Sequence, residues 1–407
     1  MSDNMLVLRG RVILPETVCD DGVILCAGDT ITAVGDRDIV MAEHPEYADL
    51  LKDAPHTGLT YMPGLVDVHC HGGGGESFPN ATTREQAMVA IEEHRAHGTT
   101  TLVASTVTAA PEVLIERATL LGALTDEGEL AGIHFEGPFV SHERKGAQDG
   151  TYIIDPDPQL TARLIEASNG NTVTMTLAPE KPGMIGEGSV VEVLIEGGAL
   201  PSWGHTDADP AAAKLALEYS REVLDRTAQR RSDRATVTHL FNGMRPLHHR
   251  DPGPIAEFLA DSSQGGAVVE MICDGIHLDP AIVREVYTIL GREQCVFVTD
   301  AMAAAGMADG EYQLGPQKVR VEAGVARLAE GDSIAGGTAH LMDCVRVAVT
   351  QAQIPLVDAV YMATATGAAI LGDSTVGRLE AGCSADVVAV DEDLAVVSVW
   401  RRGEQVR

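Results

Sequence analysis

His69 and His71 stand two residues apart at the end of PGLVDVHCHGGGG, residues 63–75. Leu65, Val66 and Val68 suit a buried strand. Side chains two apart in a strand point the same way. Both imidazoles therefore reach one side, while Val68 and Cys70 pack on the other. The glycines at 72–75 let the backbone turn sharply or approach a ligand. Imidazoles so placed suit a metal ion. Alone, the pair reads equally well as a polar strand end. Its weight comes from further polar residues that each close an apolar run. His134 and Glu136 occur in HFEGPF, His205 in WGHTDA, His239 in THLFNGM and Asp300 in VTDAMAAAG. Together His69, His71, Glu136, His205, His239 and Asp300 form a donor set for one or two divalent ions. His134 is read as ligand or support, and Asp67 as buried support. His44, His56, His94 and His97 lie in polar or helical contexts and are expected to be solvated.

Such residues need a scaffold that gathers strand ends. Apolar strand-like runs occur at 65–70, 100–104, 131–135, 172–177, 200–204, 236–240, 267–272 and 295–299. Helical patterns lie between most of them, at 84–97, 111–124, 210–219 and 280–290. Several open on proline, which suits a first helical turn. Eight strands with helical crossovers predict an α/β fold of the (β/α)₈ barrel type, whose C-terminal strand ends converge on one face. A doubly wound open sheet is the alternative. No GxGxxG follows the first strand and no GxxxxGK[ST] occurs, which counts against nucleotide binding. Another helix is expected over 336–349, after a glycine turn. Residues 5–35 and 377–406 are β-rich without crossover helices, and 36–60 read as polar and irregular. The two ends are expected to pair into one small β-sandwich domain. The expected division is 1–62 and 373–407 for that domain, and 63–372 for a catalytic barrel.

The 407-residue chain carries 29 basic and 60 acidic residues, a formal net charge of −31. That disfavours nucleic acid and anionic membranes as partners. No run of about 18 apolar residues marks a membrane span, and the N-terminus has no signal-peptide pattern. Seven scattered cysteines, with no CxxC pair, fit reduced thiols and a cytoplasmic protein.

HxH at 69–71, HFEGPF at 134–139, GHTDA at 204–208, THLFNGM at 238–244, DGIH at 274–277 and VTDAMAAAG at 298–306 resemble the N-acetylglucosamine-6-phosphate deacetylases of the amidohydrolase superfamily. The resemblance spans almost the whole chain, including GRLEAGCSADVVAVD near its end. HxH and the final Asp are common across the superfamily; HFEGPF, THLFNGM and VTDAMAAAG are more specific. The resemblance implies that Glu136, His205 and His239 bind the core metal and that Asp300 is general base, then general acid. Some family members lack HxH and use one metal; with His69 and His71 present, the resemblance allows one or two ions per subunit, the second bridged by Glu136, with zinc expected and iron, manganese or cobalt as alternatives. Family substrate contacts fall on Ala147, Gln148, Asn242, Gly243, Arg250, His277, Ile334, Ala335 and Gly336. Arg250 and His277 match phosphate-contacting positions, with the neighbouring subunit of a homodimer as one source of them. Where many relatives carry His, this chain carries Gln148.

The chemistry so implied is amide hydrolysis in amino-sugar metabolism: N-acetyl-D-glucosamine 6-phosphate gives D-glucosamine 6-phosphate and acetate. An amide resists neutral water, and a divalent ion lowers the pKa of water and polarises the carbonyl. An arginine such as Arg250 offers paired donors to a phosphate, with His277 beside it and His249 a weaker candidate. The competing readings are another amidohydrolase, such as an N-acetylgalactosamine-6-phosphate deacetylase or a cyclic-amide hydrolase, and a non-catalytic barrel. Cyclic-amide relatives often use a carboxylated lysine after the fourth strand; Lys181 is nearby, but Glu136 better fills the bridging role.

Overall fold

In the computed structural model, which describes residues 5–407, the eight apolar runs are eight parallel strands. They span Leu65–Cys70, Thr99–Thr106, Gly132–Glu136, Thr172–Leu177, Leu200–Trp203, Ala235–Val237, Ala267–Ile272 and Cys295–Val298. Each pairs with the next in chain order. Nearly every residue in them is buried, as expected for parallel strands covered on both faces. The intervening helices include Arg84–Ala96, Pro111–Asp126, Pro158–Ala167, Pro210–Arg226 and Pro280–Leu290. Proline opens four of these five, and the Thr83, Asp157, Asp209 and Asp279 side chains accept from first-turn N–H groups. The architecture is a TIM-type (β/α)₈ barrel with a small β unit.

The first and eighth barrel strands form no regular ladder. A parallel bridge between Cys70 and Ala301 closes the barrel there. The Asp300 N–H donates to the His69 carbonyl at 2.9 Å, and the His71 N–H to the Ala301 carbonyl at 2.7 Å. Below them the Thr299 hydroxyl donates to Asp67 Oδ2 at 2.6 Å. The seam of the barrel therefore carries three of the candidate site residues. Asp67 is wholly buried, and burial pushes its carboxyl up to about 6 although the Thr299 hydrogen bond pulls the other way.

Both chain ends meet in one seven-stranded sheet. It contains Met5–Ile13, Val18–Ala27, Thr30–Asp36, Thr60–Pro63, Val387–Val390, Val396–Arg401 and Glu404–Gln405. Thr60–Pro63 joins the halves, parallel to Met5–Ile13 and antiparallel to Val387–Val390. Only Gly64 separates it from the first barrel strand.

Two features differ from expectation or add to it. Residues 36–60 are not wholly irregular, because they contain helices Arg37–Glu43 and Ala48–Asp53. Asp36 caps the first through the Asp38 and Ile39 N–H groups, while Val40 and Leu51 pack against Val23, Leu25 and Ala33 of the sheet. After the eighth barrel strand, Gly310–Leu314, Gln317–Glu322 and Val325–Leu328 form an antiparallel three-stranded insertion. Its Leu314, Val319 and Val321 pack on Val107, Met302 and Ala303, over the mouth of the barrel.

Replacing Thr299 by valine keeps shape but removes the hydroxyl that serves Asp67 and the Ala301 N–H at 3.1 Å. The expected loss is about 1–3 kcal/mol, read as a lower urea midpoint. An unchanged midpoint would show that the seam does not depend on this contact.

Candidate active site

The seven candidate metal and acid–base side chains come from five strand ends and meet in the barrel mouth. Glu136, His205 and His239 form one group, and His69, His71 and Asp300 another; within each, one donor atom per residue lies within 4.8 Å of the others. The seventh residue, His134, turns out to be support. Its two ring nitrogens contact the Ser105 hydroxyl at 3.0 Å and the Thr176 hydroxyl at 2.8 Å. Burial holds its pKa well below the usual imidazole range, so the ring stays neutral.

Glu136 lies between the groups. Its Oε1 is 2.9 Å from both His205 Nε2 and His239 Nε2. Its Oε2 is 3.3 Å from His71 Nε2 and accepts from the Gln148 amide at 2.5 Å. The Gln148 orientation is fixed because its Oε1 accepts from the Thr108 N–H at 2.7 Å. Asp300 Oδ1 lies 3.1 Å from His71 Nε2 and 3.4 Å from His69 Nε2.

The donor set fits a cation. His205 Nδ1–H donates to the Arg144 carbonyl at 2.8 Å, and His69 Nδ1–H to Glu270 Oε2 at 2.9 Å. Each ring then turns a lone pair on Nε2 into the site. There His205 Nε2 is 3.1 Å from His239 Nε2, and His69 Nε2 is 3.1 Å from His71 Nε2. Imidazole nitrogens facing each other and a carboxylate, all buried, are the arrangement a divalent ion relieves. The electrostatics agree. Burial alone would lower the His71 pKa, yet hydrogen bonds with Asp300 and Glu136 carry it up to about 10. Burial alone would raise Asp300, yet the His69 charge and the His71 hydrogen bond hold it at about 2. Glu136, likewise opposed by burial, is held well below the carboxylate range by His205. The mouth demands positive charge.

A cavity of about 300 Å³ opens over these groups. His71, Glu136, His205, His239 and Asp300 form its floor, and Ala147, Gln148, Asn242, Gly243, His277, Ile334 and Gly336 line its walls. Leu314 of the insertion contributes to the rim. Ala335 is fully buried and is not part of the wall, and Arg250 lies exposed outside it, with Nη1 2.7 Å from His249 Nε2. His277 Nδ1 is 2.7 Å from Asp274 Oδ2. Burial would lower the His277 pKa, but that contact raises it above the ordinary value.

Two buried polar residues beside the site escape a reading of strand ends. Glu270 accepts from His69 and, at 3.2 Å, from the His239 N–H. It is the single polar residue in the strand AVVEMI, which is the signal that could have found it. His94 is not solvated as expected but wholly buried, with Nε2 2.8 Å from the Gly72 carbonyl. Burial drives its pKa down to about 3. Ala87, Ala90, Ile91 and His94 share one buried helix face, so helical spacing carried that signal.

The amidohydrolase family profile matches residues 60–197 and 265–406. Among curated proteins, the chain is 33% identical to N-acetylglucosamine-6-phosphate deacetylase of Lysinibacillus sphaericus, over 88% of each chain. It is 31% identical to the mouse (Mus musculus) protein of that name, over 99% of this chain and 94% of the relative. Among solved structures, an N-acetyl-D-glucosamine-6-phosphate deacetylase mutant from Mycobacterium smegmatis, in complex with N-acetyl-D-glucosamine-6-phosphate, superposes with a TM-score of 0.87 at 37% identity, covering 99% of both chains. The Thermotoga maritima deacetylase gives 0.81 at 27% identity, also over 99% of both chains.

Changing Glu270 to glutamine leaves the fold's shape but weakens the acceptor behind His69. Metal affinity should fall by about 10–100-fold, measured by competition with a chelating dye. Affinity equal to that of the parent would remove Glu270 from the metal centre.

Proposed function

We propose residue roles from the premise that the chain belongs to the amidohydrolase family and, within it, to the N-acetylglucosamine-6-phosphate deacetylases. Its reaction is hydrolysis of the acetamide of N-acetyl-D-glucosamine 6-phosphate to D-glucosamine 6-phosphate and acetate. The observation that carries this reading is the meeting of four imidazoles and two carboxylates beneath one cavity, with Asp300 at the edge of the donor set.

Glu136, His205 and His239 would hold one divalent ion, and His69 and His71 a second shared through Glu136; zinc suits this nitrogen and oxygen set. When bound, the ion supplies Lewis acidity to the acetamide carbonyl and acidifies water. Asp300, ionised at neutral pH, takes the proton from the attacking water at Oδ1. Protonated Asp300 then gives that proton to the departing amine, so the base of the first step is the acid of the second. Gln148 orients Glu136 through its amide instead of contributing a cation. Asn242, Gly243, Ala147, Ile334, Ala335 and Gly336 form or back the wall against which the sugar rests.

The phosphate needs donors that the acidic chain otherwise lacks. His277, held toward its cationic form by Asp274, faces the cavity and suits that role. Arg250 lies outside the wall of its own subunit. We therefore assign it to the phosphate across the interface of a homodimer. Among the described residues no helix is long and apolar enough to cross a membrane. All seven cysteines are free thiols, which supports a reducing compartment, and we place the enzyme in the cytoplasm.

Metal-loaded protein should release acetate from N-acetylglucosamine 6-phosphate, and far more slowly from the unphosphorylated sugar and the galacto epimer. Release from none of the three would return the substrate to the wider family. Asp300→Asn should lower kcat by at least about 100-fold, and an unchanged kcat would exclude it as base. Arg250→Ala and Asp274→Asn should mainly raise KM, by about 10-fold or more; a KM equal to the parent's in both would refute the phosphate assignment.

A further inference from the structure

We propose that Glu93, His97 and His340 hold a divalent transition-metal ion outside the catalytic cavity, where it ties the first βα unit of the barrel to the eighth. Glu93 is on helix Arg84–Ala96, with His97 just past its end, four residues on. His340 precedes helix Leu341–Thr350, which follows the eighth strand. One donor atom from each lies within 4.8 Å of the others.

The pattern repeats that of the catalytic centre. There, two imidazole nitrogens converge at 2.9 Å on Glu136 Oε1. Here, His340 Nε2 lies 2.9 Å and His97 Nδ1 3.2 Å from Glu93 Oε1. The two rings stack with centroids 3.7 Å apart. The group differs from the catalytic one in its access. The Glu93, His97 and His340 side chains are 22%, 34% and 11% exposed, so an ion can enter from solvent. The helical i, i+4 spacing of Glu93 and His97 places two donors on one face before any ion arrives.

Without an ion, each imidazole serves Glu93 through an N–H, and His97 Nδ1 also lies 2.8 Å from the Glu93 carbonyl. Binding needs the other tautomer of each neutral imidazole, with the proton moved by exchange with solvent from His340 Nε2 to Nδ1 and from His97 Nδ1 to Nε2, so that two nitrogen lone pairs and a carboxylate oxygen face the ion without net proton release. The ion needs no redox partner, and zinc, nickel or cobalt meets the donor chemistry. The groups facing the cluster are Asp343, 3.6 Å from His340 Nδ1, the buried His94 ring, with its centroid 5.5 Å from that of His340, and Arg407, which bonds the Ala96 carbonyl. The position suits a staple, because this is the side of the barrel where the strand ladder is interrupted.

The test uses the full-length, metal-loaded enzyme dialysed against zinc, with elemental analysis and thermal unfolding. The parent should retain one ion more per chain than His97→Ala or Glu93→Gln. Zinc beyond that needed for full activity should raise the parent's Tm by at least about 2 °C, and should leave both variants unmoved. Glu93→Gln keeps the shape and decides the matter should His97→Ala fold poorly. Equal ion counts and equal zinc response in parent and Glu93→Gln would overturn the proposal, whatever the deacetylase activity.

Discussion

A buried carboxylate that stays ionised must have positive charge or hydrogen-bond donors around it, and Glu136 is where this barrel meets that constraint. Its two oxygens are 2.5–3.3 Å from Gln148, His71, His205 and His239, each from a different part of the chain. The Gln148 contact spans 12 residues and the histidine contacts far more. The three imidazole contacts come from other strand ends and require the barrel to bring those ends together. The same burial that makes ionisation costly also strengthens every interaction inside the mouth. That is why the site imposes opposite demands on neighbours, carrying His71 up to about 10 and Asp300 down to about 2. A divalent ion resolves both at once.

The geometry is obtained at a backbone cost. His205, His239 and Asp300 have φ values of +45°, +28° and +48°, in the left-handed region that such residues seldom occupy. Each carries strain of about 1–3 kcal/mol. The surroundings hold them there. Asp300 is fixed through its N–H on the His69 carbonyl, and His205 through its ring on the Arg144 carbonyl. Gly243, at φ +59°, packs so tightly that a Cβ there would lie 2.6 Å from His205 Nδ1. A left-handed residue just past a strand turns its side chain over the barrel instead of along it.

The barrel was legible because parallel strands buried on both faces are short apolar runs, and this chain separates them with proline-led, capped helices. The candidate metal and acid–base residues stood out because each breaks such a run at its end. Glu270 was not, since it lies inside a strand and works from behind His69. His94 was missed because its neighbours Glu92, Glu93 and Arg95 gave the segment a solvated look while the residue itself sat on the buried face. The helices Arg37–Glu43 and Ala48–Asp53 were hidden for another reason: one buried side chain apiece, Val40 and Leu51, leaves no periodicity to read. Arg250 marks a different limit. Its motif was recognisable, but its place outside the cavity wall follows from tertiary structure alone.

The acidity of the chain sets the last constraint. A net charge of −31 opposes the approach of a phosphorylated sugar. At physiological ionic strength the Debye length is about 8 Å, so most of that charge is screened from a ligand already at the mouth. What the ligand meets there is local. The floor calls for cations, and His277 is held toward its charged form by Asp274 at 2.7 Å. Arg250 lies exposed outside the cavity wall of its own chain, where its guanidinium, among the described residues, contacts the neighbouring His249 ring. On the roles proposed above for His277 and for the imidazole–carboxylate floor, attraction confined to the cavity, within a surface that repels anions generally, would favour ligands able to reach both. A free phosphate would reach only the first, and an unphosphorylated sugar only the second.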